Sequence, residues 1–270
     1  MIGVILAAGM AKRLRPLTDT KPKCLLTVDG RTLLQRTVDA MLQAGIREFV
    51  VVTGYRADQI QDFLRPTPQP LPAGRGVDTP SADYSTDKGI YSPPSQGGVG
   101  GGSLTFLHNS DYEHNNNIYS LWMAGQVVRG RDFLLMDSDI LCDPETVLRV
   151  ASYEGSALAV NRHELGEEEM KVVVDSDMNI TEISKTCDPA AALGESVGIE
   201  KITAAYSEAL FRELDKMILH EGLIDIFYER AFERLIPQGH TFRVIDTTDL
   251  FSFEIDTPED YERAQQLFTI

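Results

Sequence analysis

Two hydrophobic rhythms alternate along this chain. Ile2, Val4, Ile5 and Leu6 form a short apolar run with β-branched members, which predicts a buried strand feeding a tight turn. Between 32 and 44, Leu34, Val38, Met41 and Leu42 recur at helical spacing with Arg36 and Asp39 opposite, and Gly45 stands where a helix usually ends. Positions 49–52 read as a second buried strand and 57–64 as a second short helix. This strand–helix alternation predicts a parallel sheet with crossover helices. Further strands are expected at 104–107, 133–136 and 157–160, with helices at about 118–128 and 144–151. From 170 onward alternation dominates, at 170–174, 180–183 and 197–202. Helices at about 206–220 and 224–235 follow, then strands at 242–245 and 251–255. A last helix starts at Pro258, with Thr257 as N-cap and Glu259 and Asp260 in its first turn.

Composition changes this picture at one place. Residues 66–103 hold seven prolines and eight glycines in 38 positions and few residues able to form a core. The stretch reads as an extended, mobile insertion in a single domain spanning 1–270. Its GGVGGG run carries no cation and precedes no helix, so it reads as linker rather than phosphate loop.

At 270 residues and 43% hydrophobic content the chain is large enough for a substantial core. It shows neither an apolar run of membrane-spanning length nor a signal-peptide pattern, and a cytoplasmic location is expected. The three cysteines, Cys24, Cys142 and Cys187, are far apart and read as reduced structural thiols. The five histidines lack zinc-ligand spacing. With 41 acidic against 25 basic residues and a net charge of −16, nucleic acid is an unexpected partner, whereas a metal-dependent site suits the balance.

Against that acidity, Lys12, Arg13, Arg15, Lys21 and Lys23 crowd the loop after the first strand. Leu6, Ala7, Ala8 and Gly9 lead into it with small side chains that let a ligand approach the backbone. Five cations there suit several phosphates; the alternative is a basic, solvated loop. The stretch contains no GxxxxGK[ST], and Ala11 and Leu14 stand where a dinucleotide fingerprint needs glycine.

Asp139, in Asp137-Ser138-Asp139, follows a buried strand, and Asp256 ends FSFEID at a strand–helix junction. Two carboxylates from distant segments beside a triphosphate would suit Mg²⁺; simple helix capping is the alternative for each, and the expected role of Asp143. Asn116, Asn117 and Ser120, in NNNIYSLW, could bind a base edge or ribose, or could merely cap a helix. Lys171 and Lys185 suit an acceptor phosphate as point charges or are exposed strand lysines. A cationic headgroup would need an aromatic cage, for which Tyr112, Tyr119, Trp122 and Tyr228 are candidates. Glu167 to Glu169 reads as a solvated run.

The order LAAG, Arg13-Leu14, Pro16-Leu17-Thr18, Pro22-Lys23, Leu25-Leu26 and Val28 resembles the signature of the nucleotidyltransferases that make sugar nucleotides and of their cytidylyltransferase relatives. The one departure inside the motif is Ala11, where a second glycine is usual. The resemblance covers nearly the whole chain outside the insertion. It implies an α/β fold, a Rossmann-like mixed, mostly parallel sheet flanked by helices.

It also implies roles. Arg13 would neutralise the triphosphate, and Lys23 would bridge the α-phosphate and acceptor. Asp139 and Asp256 would hold Mg²⁺, with Asp137 an extra carboxylate beside them. Leu6 to Gly9, with Asn116, Asn117 and Ser120, would bind the nucleotide. The NN-x-YSL string resembles cytidylyltransferases for cholinephosphate and related acceptors, which favours CTP. Lys171, Lys185, Glu195 and Asp225 would hold a small phosphorylated or phosphonate acceptor. The resemblance leaves room for a homodimer. Two other readings stay open, a sugar-1-phosphate nucleotidyltransferase using UTP, dTTP or GTP and a non-catalytic nucleotide sensor.

Overall fold

The computed structural model describes residues 1–65, 88–91 and 102–268. β1 (Ile2–Ala7), buried along its length, opens the chain. A loop with two 3₁₀ turns, Lys12–Leu14 and Lys23–Leu25, leads into a small hairpin of β2 (Thr27–Val28) and β3 (Arg31–Thr32). α1 (Leu33–Gln43) starts where Thr32 accepts the Gln35 N–H. It stops where Gly45 takes φ 83° and the Ile46 N–H reaches back to the Met41 carbonyl.

β4 (Glu48–Thr53), α2 (Ala57–Leu64), β5 (Lys88–Tyr91), β6 (Gly102–His108) and α3 (Asn117–Val128) follow, then β7 (Phe133–Asp137) and β8 (Ile140–Cys142). α4 (Pro144–Ser152) is capped by Asp143, whose carboxylate accepts the Glu145 N–H as expected. The second half runs through β9 (Ala157–Asn161), β10 (Lys171–Val174), β11 (Ile180–Ser184) and β12 (Gly194–Ile202). α5 (Ala204–Asp215) continues into a π-helical turn, Lys216–His220. α6 (Glu229–Leu235), β13 (Arg243–Asp246), β14 (Ser252–Glu254) and α7 (Pro258–Leu267) complete the chain.

The main sheet is mixed and flanked by helices, in the order β11-β10-β12-β7-β1-β4-β6-β5, with β9 on β12 and β13 on β9. Its centre, β7-β1-β4-β6, is parallel, and β12, β10, β11 and β5 add antiparallel margins. Side chains alternate between two apolar layers, as the two-residue strand period requires. Ile5, Val51 and Leu134 face α1, α2 and α4, whereas Val4, Val52 and Leu135 face α3, α5 and α6. Both faces are covered, so β1 reads as a continuous apolar run. Each fully buried Val, Ile or Leu there contributes roughly 1.5–3 kcal/mol.

Two expectations are corrected. The helix expected from 224 begins at Glu229, because residues 224–228 are held in place by α3. The Asn116 N–H donates to the Ile224 carbonyl at 2.9 Å and the Tyr228 N–H to Asn117 Oδ1 at 3.0 Å. Within the 66–103 insertion, Lys88–Tyr91 pairs antiparallel with β6, and Gly102 and Ser103 already belong to β6. The remainder of that insertion lies outside the described residues.

Candidate functional site

The carboxyl ends of β1 and β7 open onto a cleft of about 420 Å³, at the edge of the sheet where α/β folds bind ligands. The basic loop is folded over this edge by its apolar positions. Leu14, Leu26 and Val28 pack with Leu141, Ile255 and Ala264 in a small separate core, which ties the loop to β8, β14 and α7. Thr18, almost fully buried, donates its hydroxyl to the Ala11 carbonyl at 2.9 Å. From outside, the Tyr55 hydroxyl donates to the Thr18 and Asp19 carbonyls, Arg56 to that of Asp19 and Gln59 to that of Thr20. Just before them, Gly54 lets the end of β4 lie close to Ala8 and Tyr112; a Cβ there would lie 2.7 Å from the Ala8 carbonyl oxygen.

Two strands then deliver the acids. Asp139 follows β7, and antiparallel pairing of β14 with β8 sets Glu254 opposite Ile140. Asp256 follows, its N–H donating to Asp260, which with Thr257 forms the capping box that starts α7. Carboxylate oxygens of Asp139, Glu254 and Asp256 lie within 4.8 Å of one another. Lys23 bridges two of them, Nζ donating to Asp139 at 2.8 Å and to Asp256 at 2.6 Å. Arg13 donates to the other oxygen of Asp256.

Charge follows from this geometry. Burial opposes the Lys23 charge, but Asp139 and Asp256 overcome it and hold the ammonium above its ordinary pKa. Desolvation works against the Asp256 charge, yet Lys23 and Arg13 bring that carboxyl below its usual range. Crowding by the surrounding protein, then the charges of Asp139 and Asp256, push Glu254 up to about 8. Asp139 Oδ1 is buried without a hydrogen-bond partner. An all-oxygen set with an unfilled oxygen is the donor chemistry a hard divalent cation takes.

Of the five loop cations, Arg13 and Lys23 line the cleft; Lys12, Arg15 and Lys21 do not. Leu6, Ala7, Ala8 and Gly9 line it, as do Asn116, Asn117 and Ser120. Asp137 sits in its floor, where burial and then Asp139 raise its carboxyl well above the usual range. Lys185 and Glu195 line it too, with Lys185 over the Phe227 ring at 4.7 Å. Lys171 and Asp225 are not in the wall. Lys171 is almost fully buried, its Nζ donating to the carbonyls of Lys185 at 2.8 Å and Glu169 at 3.3 Å, and Asp225 is exposed elsewhere. Lys171, expected to hold the acceptor's phosphate or else to be an exposed strand lysine, is instead a buried lysine tied to backbone carbonyls.

Glu167 and Glu168 are exposed, as a solvated run would be, and Glu168 and Glu169 line the cleft from there, with Glu168 pairing with Lys185 at 3.4 Å. No aromatic cage assembles from the four candidates. Tyr112 lines the cleft, Trp122 donates to Asp215 beside Tyr119, and Tyr228 lies wholly in the core. Sequence reasoning missed Glu229 and Glu254. Glu229 is buried, lines the cleft and has an unpartnered Oε2; burial pushes it up to about 7. Glu254 stands in the same late stretch as Asp256, and its alternation with Asp256 along one strand face was the signal available. Glu229 lay hidden in what read as a helix interior.

The CMP-5'-(3-aminopropyl)phosphonate synthase of Streptomyces rubellomurinus is 27% identical over 98% of this chain, which spans 38% of that protein. The choline-phosphate cytidylyltransferase of Streptococcus pneumoniae is 21% identical over 99% of this chain and 98% of its own. A solved structure of a CTP:phosphocholine cytidylyltransferase from Streptococcus pneumoniae superposes with a TM-score of 0.72 at 18% identity, covering 99% of each chain, a likeness of fold. The model of the MobA-like NTP transferase domain matches residues 3–234, and the chain belongs to that family.

Proposed function

We propose that this chain is a Mg²⁺-dependent cytidylyltransferase acting on a small phosphorylated or phosphonate acceptor that also carries an amine. An acceptor oxygen attacks the α-phosphorus of CTP in line, forming the new P–O bond as the bond to the β-phosphate oxygen breaks and pyrophosphate leaves. The observation that carries this reading is Lys23, held in the cleft between Asp139 and Asp256 with Arg13 alongside.

The protein's part is positioning and charge stabilisation. Arg13 neutralises the outer phosphates and the departing pyrophosphate. Lys23, kept charged by its acids, lies against the α-phosphate and steadies the charge that builds there. Magnesium, bound by Asp139 and Asp256 with Glu254 in reach, would supply further charge neutralisation at the triphosphate. Lys185 suits the acceptor's phosphate or phosphonate. The carboxyls of Glu169, Glu195 and Glu229 with the Phe227 ring suit an ammonium at its other end. Relatives named for aminopropylphosphonate and choline-phosphate support that choice.

Pyrophosphate release tests it, with CTP, UTP, dTTP and GTP each offered with cholinephosphate, 2-aminoethylphosphonate, inositol phosphate and glucose 1-phosphate. Turnover is expected with Mg²⁺, CTP and an amine-bearing acceptor. Lys23→Ala and Asp256→Asn should each lower it by roughly 10²–10³-fold or more while circular dichroism stays unchanged. Near-normal release by either variant would reject the assignment, and preference for glucose 1-phosphate would reject the acceptor class.

A further inference from the structure

Beside the cleft, one histidine stands between two acceptors. Antiparallel pairing of β12 with β9 sets Glu195 opposite Asn161, the last residue of β9, so the chain leaving β9 carries His163 just beyond it. His163 Nδ1 lies 2.9 Å from the Glu164 carbonyl oxygen, and Nε2 lies 2.8 Å from a carboxylate oxygen of Glu195. A carbonyl oxygen can only accept, so Nδ1 carries a hydrogen. An ionised carboxylate can only accept as well, so a second hydrogen lies between Nε2 and Glu195, and the two residues hold it in common. With that proton the pair is neutral; without it, the pair carries the charge of Glu195 and loses the bond that orients the carboxylate. Burial works against the imidazolium, but the Glu164 carbonyl and then Glu195 outweigh it and hold His163 above its ordinary pKa. The other charged groups near the pair are Glu169 and Lys171 from the β10 side, Lys185 after β11 and Glu254 on β14. Arg162, next in the chain, is paired with Asp246 at 2.8 Å. Glu195 is half-buried and lines the cleft, whereas His163 is exposed behind it.

We infer that His163 is a positioning residue for Glu195, and that an acceptor's ammonium arriving at Glu195 displaces the proton the two residues share. Two cations then compete for one carboxylate. An alkylamine holds its proton about 10⁴-fold more tightly than imidazole, so the imidazolium is the one that gives way. The neutral ring keeps its Nδ1–H on the Glu164 carbonyl and the lost proton goes to solvent. By linkage, the affinity for an amine-bearing acceptor rises with pH through the titration of His163. The inference rests on Glu195 facing the acceptor's amine, as proposed above, and it adds the residue that orients that carboxylate and the pH dependence that follows.

The chain has five histidines, so their ring protons can be followed one by one by NMR, His163 being the signal absent from His163→Gln. At low ionic strength, where a partly solvated pair is screened least, His163 should titrate above 6.5 in the unaltered chain and near 6.5 in Glu195→Gln. An ordinary value that Glu195→Gln leaves unmoved would overturn the pairing. The titration is repeated with Mg²⁺ and the α,β-methylene analogue of CTP, and either 2-aminoethylphosphonate or ethylphosphonate, which has the phosphonate but no amine. The amine-bearing compound should leave the His163 pKa about 0.5 or more below its value with ethylphosphonate. Between pH 5.5 and pH 8.5 its affinity should rise about threefold more in the unaltered chain than in His163→Gln, a comparison that cancels the phosphonate's own ionisation. Binding of 2-aminoethylphosphonate with His163 left where ethylphosphonate leaves it would overturn the inference. Failure of 2-aminoethylphosphonate to bind, with Glu195 still holding His163 up, would overturn the acceptor reading and the displacement with it, while the pairing stood.

Discussion

Ala11 sits at φ 46° and ψ 54°, a left-handed conformation that costs an ordinary L-residue roughly 1–2 kcal/mol and glycine almost nothing. The resemblance expects glycine here, and the backbone angle gives the reason. Ala11→Gly should therefore raise stability by up to about 1 kcal/mol, read as a shift of the urea midpoint with unchanged slope. Glu229 gives a prediction in pH. Its folded pKa, about 7, lies above the usual glutamate value, so the folded state binds its proton more tightly than the unfolded chain. That contribution is full below about pH 4.5 and fades as pH rises through 7. Glu229→Gln abolishes it, so the variant should gain on the unaltered chain between pH 5 and pH 8, by about 3 kcal/mol at most. Paired melting curves at the two pH values measure the difference.

At the scale of elements, the basic loop after β1 is shaped largely by what packs on it. Four side-chain hydrogen bonds from Tyr55, Arg56 and Gln59 hold the carbonyls of 18–20, and those donors sit at the start of α2. Tyr55→Phe removes two of them and keeps the ring that meets Tyr112 edge-on. A loss of about 1–2 kcal/mol is expected, with a raised KM for the nucleotide and little change for the acceptor. Steady-state kinetics and urea unfolding would check both. α6 gives the complementary case, since its first turn is replaced by an irregular segment bonded to α3. That segment sets Phe227 and Glu229 into the wall of the cleft while Tyr228 fills the core, its hydroxyl 3.2 Å from Asp137.

At the scale of the whole molecule, a net charge of −16 sits around a cleft that gathers Arg13, Lys23 and Lys185. Self-repulsion of that size opposes compactness and is screened by salt. The melting temperature should accordingly rise between about 20 mM and about 0.5 M NaCl; a fall would mean that surface ion pairs outweigh the repulsion. Among the described residues no helix is long and apolar enough to cross a membrane.

Periodicity alone located the buried strands and most helices, because burial on a sheet or helix face leaves a two- or 3.6-residue trace in the chain. The matching ends of α2 at 57–64 and the cap at Thr257 are instances. Local order also carried the signature loop and singled out Lys23, Asp139 and Asp256, since each stands at a strand end or turn that a short stretch of sequence announces. Tertiary structure alone decided that Lys23 lies between Asp139 and Asp256, that Lys171 turns inward to backbone carbonyls, and that Glu229 faces the cleft. Those outcomes depend on segments more than a hundred residues apart or on hydrogen bonds between neighbouring elements, and no local pattern in the chain encodes either.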